Sequence, residues 1–151
     1  MKDVKNFMGV NSINKIEKPT IFPSYSIVNF SPAGSPGTHF VAILFVDRRS
    51  CVYFDPLNLP FIPAEIKEHM KKNSKFIHII GYPVQNPLSG YCGFYCLLPI
   101  MFHINKIPLL EGLFSFPPSS LQNDKKCISI LIKLFKIYFL EQNIKCTRSY
   151  V

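Results

Sequence analysis

The sequence predicts an α+β fold, and three observations carry that expectation. The middle of the chain holds short apolar runs rich in Val, Ile and Phe, namely "HFVAILFV" (39–46), "CVYFD" (51–55) and "KFIHIIGYPV" (75–84). Their length and β-branched content suit strands. Segments on the flanks have helical length or spacing instead, above all the stretch from Cys92 to Ile104 and the region 121–142. Finally, hydrophobic residues make up 48% and charged residues 17% of the 151, a globular composition rather than a disordered one. A chain of this length buries a proper core without staples, so a single domain over 1–151 is expected.

The first 24 residues are mixed polar and suggest a short helix or an irregular arm. "SYSIVNF" (24–30) alternates and reads as a strand, and "SPAGSPGT" (31–38) is dense in turn formers. The short polar link "DRRS" between 39–46 and 51–55 makes an antiparallel hairpin of those two runs. "PAEIKEHMKKN" (63–73) places Pro at a helix start, acids early and lysines late, which suits the helix dipole. The run 75–84 reads as a third core strand. From Cys92 to about Ile104 the length favours a buried helix, with Pro99 as a kink or boundary. After the loop "SFPPSSLQND" (115–124), an amphipathic helix over about 121–142 is expected to bury Ile128, Leu131, Ile132, Phe135 and Phe139.

Bulk features narrow the function classes. No run reaches the roughly 18 uninterrupted apolar residues of a membrane span; the most apolar, 127–140, is broken by Lys133 and Lys136. The N-terminus "MKDVKNFMGVNSINK" has no apolar run of signal-peptide length, which argues against secretion. Five cysteines, at 51, 92, 96, 127 and 146, then indicate reduced thiols rather than a disulfide framework. The net charge of +8 has two readings, a coding bias toward Lys, Asn and Ile or attraction to a polyanion such as nucleic acid.

The segment "QNPLSGYCGFYC" (85–96) concentrates the candidate chemistry. Cys92 sits between Gly90 and Gly93 at a loop-to-helix junction, where unpaired backbone N–H groups and the helix dipole favour a thiolate. A thiolate there is a good nucleophile, and its own N–H can help hold an oxyanion. Taken alone, Cys92 reads equally well as a buried core thiol. A nucleophile needs a base. His39 opens the first strand of the hairpin and Asp55 closes the second, so antiparallel pairing sets them side by side. Asp55 could then fix the imidazole tautomer while the free ring nitrogen faces Cys92. By itself Asp55 reads more readily as the turn residue of "DPLN". Gln85, seven positions before Cys92 at the end of the third strand, could donate an amide N–H to an oxyanion; by itself it reads as a solvent-facing loop residue.

The remaining candidates are weaker. Cys96 lies one helical turn past Cys92 and is most simply a packing residue. Cys92, Cys96 and His103 have a C-x3-C-x6-H spacing but lack the fourth ligand a structural zinc site wants, so no metal is assigned. His69 falls in the charged "KEHMKKN" helix as a surface residue, and His78 in "KFIHII" takes a core or edge strand position.

In order, "GTHF", "YFDP", and a Gln seven residues ahead of "CGFYC" resemble the adenain family, the adenovirus-type processing cysteine proteases. SUMO- and NEDD8-specific proteases are more distant relatives in the same clan. "FMGV", "SIVNF", "HFVAILFVDRRSCVYFDPL" and "IPLLEGLFSFPPSSLQ" extend the resemblance over about 7–140. It implies a papain-like, adenain-like fold: a small mixed central sheet flanked by helices, with the nucleophile at a helix N-terminus. It also implies His39 as general base, Asp55 as its partner, Cys92 as nucleophile, and Gln85 with the Cys92 N–H as oxyanion hole. The function implied is a viral maturation endopeptidase that cuts capsid or core precursor proteins after Gly, monomeric, off the membrane, and located in the virion and host nucleus. No cofactor is required for the chemistry. Stimulation by DNA is compatible with the charge and with Lys67, Lys71, Lys72 and Lys75 or Lys125, Lys126, Lys133 and Lys136.

Three departures from the family pattern stand out. Phe40 replaces the usual Trp, an exchange of aromatics that should keep a lining role. The region between Asp55 and Gln85 is trimmed. No cysteine lies near "NSKF" (73–76), where the family's disulfide-linked activating peptide would attach. Two alternatives remain: a peptidase acting on the Gly-Gly ends of ubiquitin-like proteins (ubiquitin, SUMO or NEDD8), and a basic DNA- or capsid-associated protein without catalysis.

Overall fold

Alternation along "FVAILF" decides what lies on each side of the sheet, because successive side chains of a strand point to opposite faces. The computed structural model describes the backbone of residues 4–148 and the side chains of residues 4–142. Five strands, β1 (Phe7–Ser12), β2 (Ser24–Asn29), β3 (Phe40–Phe45), β4 (Ser50–Phe54) and β5 (Phe76–Ile80), form one sheet in the order β1-β2-β3-β4-β5. The central pairs β2–β3 and β3–β4 are antiparallel, while β1–β2 and β4–β5 are parallel. Among the described residues four helices accompany it: α1 (Ala64–Asn73), α2 (Cys92–Ile104), α3 (Leu109–Phe114) and α4 (Asn123–Arg148). The chain is therefore a mixed α+β fold.

Val41, Ile43 and Phe45 of β3, with Cys51 and Tyr53 of β4, meet Ile66 and Met70 of α1 on one face. Ala42 and Leu44, with Phe54, meet Tyr95, Leu98 and Met101 of α2 and Leu131 of α4 on the other. α2 is thus a core helix, apolar nearly all round, and each fully buried aliphatic side chain contributes about 1.5–3 kcal/mol to holding it there. Pro99 lies inside α2, so the carbonyl of Tyr95 loses its usual helical donor. Among the described residues, no helix is long and apolar enough to cross a membrane.

Several expectations need correction. Among the described residues of the first 24, Phe7–Ser12 form β1 rather than a helix or irregular arm, and the register of β1 against β2 slips between Phe7 and Val10. Gly9 takes up the slip at φ 98, a conformation that a Cβ would strain. The run 75–84 does not make a core strand; β5 is a sheet edge and Ile79 is 60% exposed. The buried stripe of α4 is Cys127, Leu131, Leu134 and Tyr138, which turns the expected stripe so that Ile132 and Phe139 face outward. His69 is half-buried against the Phe45 ring rather than solvated, and burial lowers its pKa.

Gly112 in α3 offers a sharp test of packing. A Cβ there would lie 2.6 Å from Cε2 of the buried Phe102 ring. Gly→Ala in a helix interior normally stabilises by about 1 kcal/mol. Here Gly112→Ala should instead destabilise by about 1–3 kcal/mol through overpacking, read as a lowered midpoint in urea unfolding.

Candidate active site

The hairpin register pairs Ala42 with Phe54, which brings the residue before β3 and the residue after β4 to the same end of the sheet. His39 Nε2 and Asp55 Oδ1 are 2.7 Å apart there. His39 is 7% and Asp55 2% exposed. The Phe30 ring packs nearly perpendicular to the imidazole, with centroids 5.0 Å apart. Asp55 also accepts the Leu57 N–H on Oδ1 at 2.9 Å and the Leu59 N–H on Oδ2 at 3.2 Å. Its carbonyl accepts the Asn58 N–H at 3.0 Å. The turn role and the His-orienting role are therefore held by one side chain, and neither excludes the other.

Cys92 is the first residue of α2. No side chain caps that end and no acid occupies the first turn, so the helix N-terminus presents its positive end to the thiol. His39 is near enough to act on the thiol, and with Nε2 engaged by Asp55 its Nδ1 is the ring nitrogen left to do so. Burial alone would raise the Cys92 pKa. The bonds with His39 and with the backbone N–H groups of Phe40 and Gly93 overcome it and hold the thiol below its ordinary value. His39 is the complement: burial disfavours its charged form, yet Asp55 and the Cys92 thiolate lift it to about 9. Each thus favours the charged form of the other, imidazolium beside thiolate.

The other described thiols are inert by the same physics. Burial raises Cys51, lifts Cys127 to about 12, and pushes the fully buried Cys96 well above the thiol range, where the Cys92 charge adds to the effect. Cys51, Cys92, Cys96 and Cys127 are all free thiols. The side chain of Cys146 lies outside the described residues. Cys96 thus packs, and His103 turns to Tyr25, its Nδ1 2.8 Å from Tyr25 Oη, instead of facing Cys92.

Gln85 departs from its expected placement. It lies beyond the end of β5, and it is 2% exposed rather than solvent-facing. Its backbone N–H donates to Pro56 O at 3.0 Å, and its side-chain Nε2 donates to Ser89 O at 2.7 Å. Its Oε1 is buried and has no hydrogen-bond partner among the described residues. Gln85 is therefore tied to the turn after Asp55 on one side and to the loop entering Cys92 on the other. It makes no hydrogen bond to His39 or Cys92.

The segment 115–124 cradles that loop. Ser119 N–H donates to Pro83 O at 2.9 Å, and Asn86 Nδ2 donates to Ser119 O at 2.6 Å. The buried Asn123 donates from Nδ2 to Val84 O at 2.7 Å and Pro117 O at 2.6 Å. Beside Cys92 opens an apolar pocket of about 470 Å³, walled by Phe7, Val10, Phe40, Phe94 and Leu97. Phe40 keeps the lining role expected of it. Phe7 and Val10 were not foreseen; Gly9 between them was the available signal, as a glycine inside an apolar run marks a bulge or a close approach.

The two lysine groups do not share one face of the sheet. Lys67, Lys71 and Lys72 belong to α1 and Lys125, Lys133 and Lys136 to α4, which pack on opposite faces of the sheet. Lys126 folds back, donating to Ser115 O and lying over the Phe116 ring.

Fold and site together define a mixed α+β chain with a hydrogen-bonded imidazole–carboxylate pair and a thiol beside the imidazole. No family model matches the chain, and no curated protein matches it.

Proposed function

We propose that the chain is a cysteine endopeptidase of papain-like, adenain-like fold. The observation that carries this is the series Asp55–His39–Cys92, with the 2.7 Å bond on Nε2 and Nδ1 left for the thiol. The Cys92 thiolate attacks the scissile carbonyl carbon, and the C=O electron pair moves onto oxygen. The Cys92 N–H and the second Nε2 hydrogen of Gln85 stabilise that oxyanion. His39 gives its Nδ1 proton to the leaving amine as the thioester forms, then takes a proton from the water that hydrolyses it. Asp55 holds the ring orientation throughout. No cofactor enters these steps.

The substrate class follows from the resemblance in "GTHF", "YFDP" and "QNPLSGYCGFYC": viral precursor proteins cut after Gly, with action in the virion and host nucleus. DNA as a stimulator would engage the α1 or the α4 lysines separately, given their opposite placement.

The test is alkylation by iodoacetamide across pH, with mapping of the labelled residue, followed by a peptide panel. Cys92 should label first, with a rate that rises below the ordinary thiol pKa of about 8.5. Gly-containing precursor-type peptides should be cut. Labelling spread over several cysteines, or only at the ordinary thiol pH, would sink the proposal. Preferential cleavage of ubiquitin, SUMO or NEDD8 probes would keep the chemistry and change the substrate.

A further inference from the structure

We propose that Asp124 is a positioning residue for the oxyanion side of the site, acting through Ser89 on Gln85. The proposal rests on the cysteine-peptidase reading, in which Gln85 is an oxyanion donor. Asp124 stands in the first turn of α4, remote in sequence from every candidate residue. One of its oxygens, Oδ1, accepts two hydroxyl hydrogens, from Ser89 Oγ at 2.8 Å and from Tyr95 Oη at 2.7 Å. Tyr95 is fully buried in α2, about one turn past Cys92. Ser89 lies in the loop that delivers Cys92, and its Oγ in turn accepts the Tyr91 N–H at 3.2 Å. The carboxylate therefore ties the nucleophile helix to the loop before it. Bonds to an ionised acceptor are shorter and stronger than neutral ones, which suits a fixed geometry.

What makes this consequential is the state of Gln85. Among the described residues Oε1 has no partner, and the bond from Nε2 to Ser89 O at 2.7 Å is the one side-chain hydrogen bond that orients the amide. Where Ser89 goes, the second Nε2 hydrogen goes with it. Pro87, Gly90 and the turn at Asn86 give the loop no helix or strand ladder of its own. Backbone bonds and Asn86 hold the loop at its start, and Asp124 adds a restraint on Ser89 itself through the hydroxyl. Oxyanion donors act only if they are preset at the right place, and a displacement of about 1 Å costs about 100-fold in rate.

The experiment measures peptide cleavage, Cys92 alkylation, and hydrogen exchange of the Gln85 side-chain amide by nitrogen-15 NMR in the full chain. Asp124→Ala and Ser89→Ala should each lower kcat about 10- to 100-fold with KM within about twofold, while Cys92 alkylation keeps its wild-type rate. Asp124→Asn keeps an acceptor oxygen and should recover most of the loss. Asp124→Ala combined with Gln85→Ala should be no slower than Gln85→Ala alone, as expected of two residues acting as one unit. Multiplying losses in the double variant, or alkylation falling in step with kcat, would overturn the proposal. The NMR arm stands without catalysis: Gln85 amide exchange should quicken in Asp124→Ala and stay slow in Asp124→Asn. Unchanged exchange in Asp124→Ala overturns the positioning role even if wild-type chain cuts no peptide, an outcome that would by itself defeat only the peptidase reading.

Discussion

Cys92→Ala is expected to abolish peptide cleavage, by at least about 10⁴-fold, while the folded chain survives. Every step of the proposed reaction uses Sγ, and no other described thiol has a pKa below its ordinary value. The fold should tolerate the change. Cys92 is partly exposed at the start of α2, and Ala is a good helix former there. Helical circular dichroism should be unchanged and Tm should move by only a few degrees. Cys96→Ala is the matched control. It empties part of a fully buried site at a cost of about 1 kcal/mol, yet cleavage should continue. Activity retained in Cys92→Ala, or lost in Cys96→Ala at full folding, would reassign the nucleophile.

The second large effect belongs to Asp55→Asn. The wild-type rate should be bell-shaped in pH, rising as Cys92 ionises below the usual thiol range and falling as His39 loses its proton near about 9. These limbs belong to the coupled pair rather than to either residue alone. Without the carboxylate, His39 loses a charge-assisted bond and its attraction to Asp55, so the alkaline limb should move to lower pH. Asn offers only one oxygen for three donors: His39, Leu57 N–H and Leu59 N–H. Either Leu59 N–H faces an amide N–H or His39 loses its acceptor. A stability loss of about 1.5–3 kcal/mol is expected, measured by denaturant unfolding beside the pH–rate profile. An unmoved alkaline limb would remove Asp55 from the site.

The sign of each shift also says where not to look for the pair. The raised His39 value contributes stability that is complete below pH 6.5 and lost as pH rises through about 9. The lowered Cys92 value does the opposite, contributing stability that appears as pH rises and is complete above the ordinary thiol range. Over the shared window the two oppose. A Tm titration should therefore vary less between about pH 6.5 and the ordinary thiol range than either group alone would make it.

How much of this was legible in the sequence depended on how local each interaction is. The β3–β4 hairpin and the meeting of His39 with Asp55 followed from two apolar runs and a short link. The start of α2 at Cys92 followed from turn residues giving way to an apolar stretch. β1 was hidden because its partner is parallel and distant, and because Gly9 and polar residues interrupt its alternation. β5 looked like core because an apolar edge strand has the same composition as a central one. The stripe of α4 was misplaced since apolar residues occupy several of its faces, and only the packed structure selects Cys127, Leu131, Leu134 and Tyr138. The burial of Gln85 depends on Pro56 and Ser89, partners that no periodicity reveals. Asp124 resembles any acid favoured in a first helical turn.

The strand order β1-β2-β3-β4-β5, with α2 arriving only after the sheet's last strand in the chain, gives the reactive thiol a history. His39 and Asp55 are sixteen residues apart and meet by closing a short loop, an early and inexpensive event in a folding chain. Cys92 meets them only when a later segment docks. Until then it is a thiol of ordinary acidity in a chain being made, no more reactive than its four siblings. On the proposed cysteine-peptidase reading, nucleophilicity is thus acquired at docking and not at synthesis. Cys92 alkylation during refolding should therefore act as a clock for the moment α2 seats against the sheet.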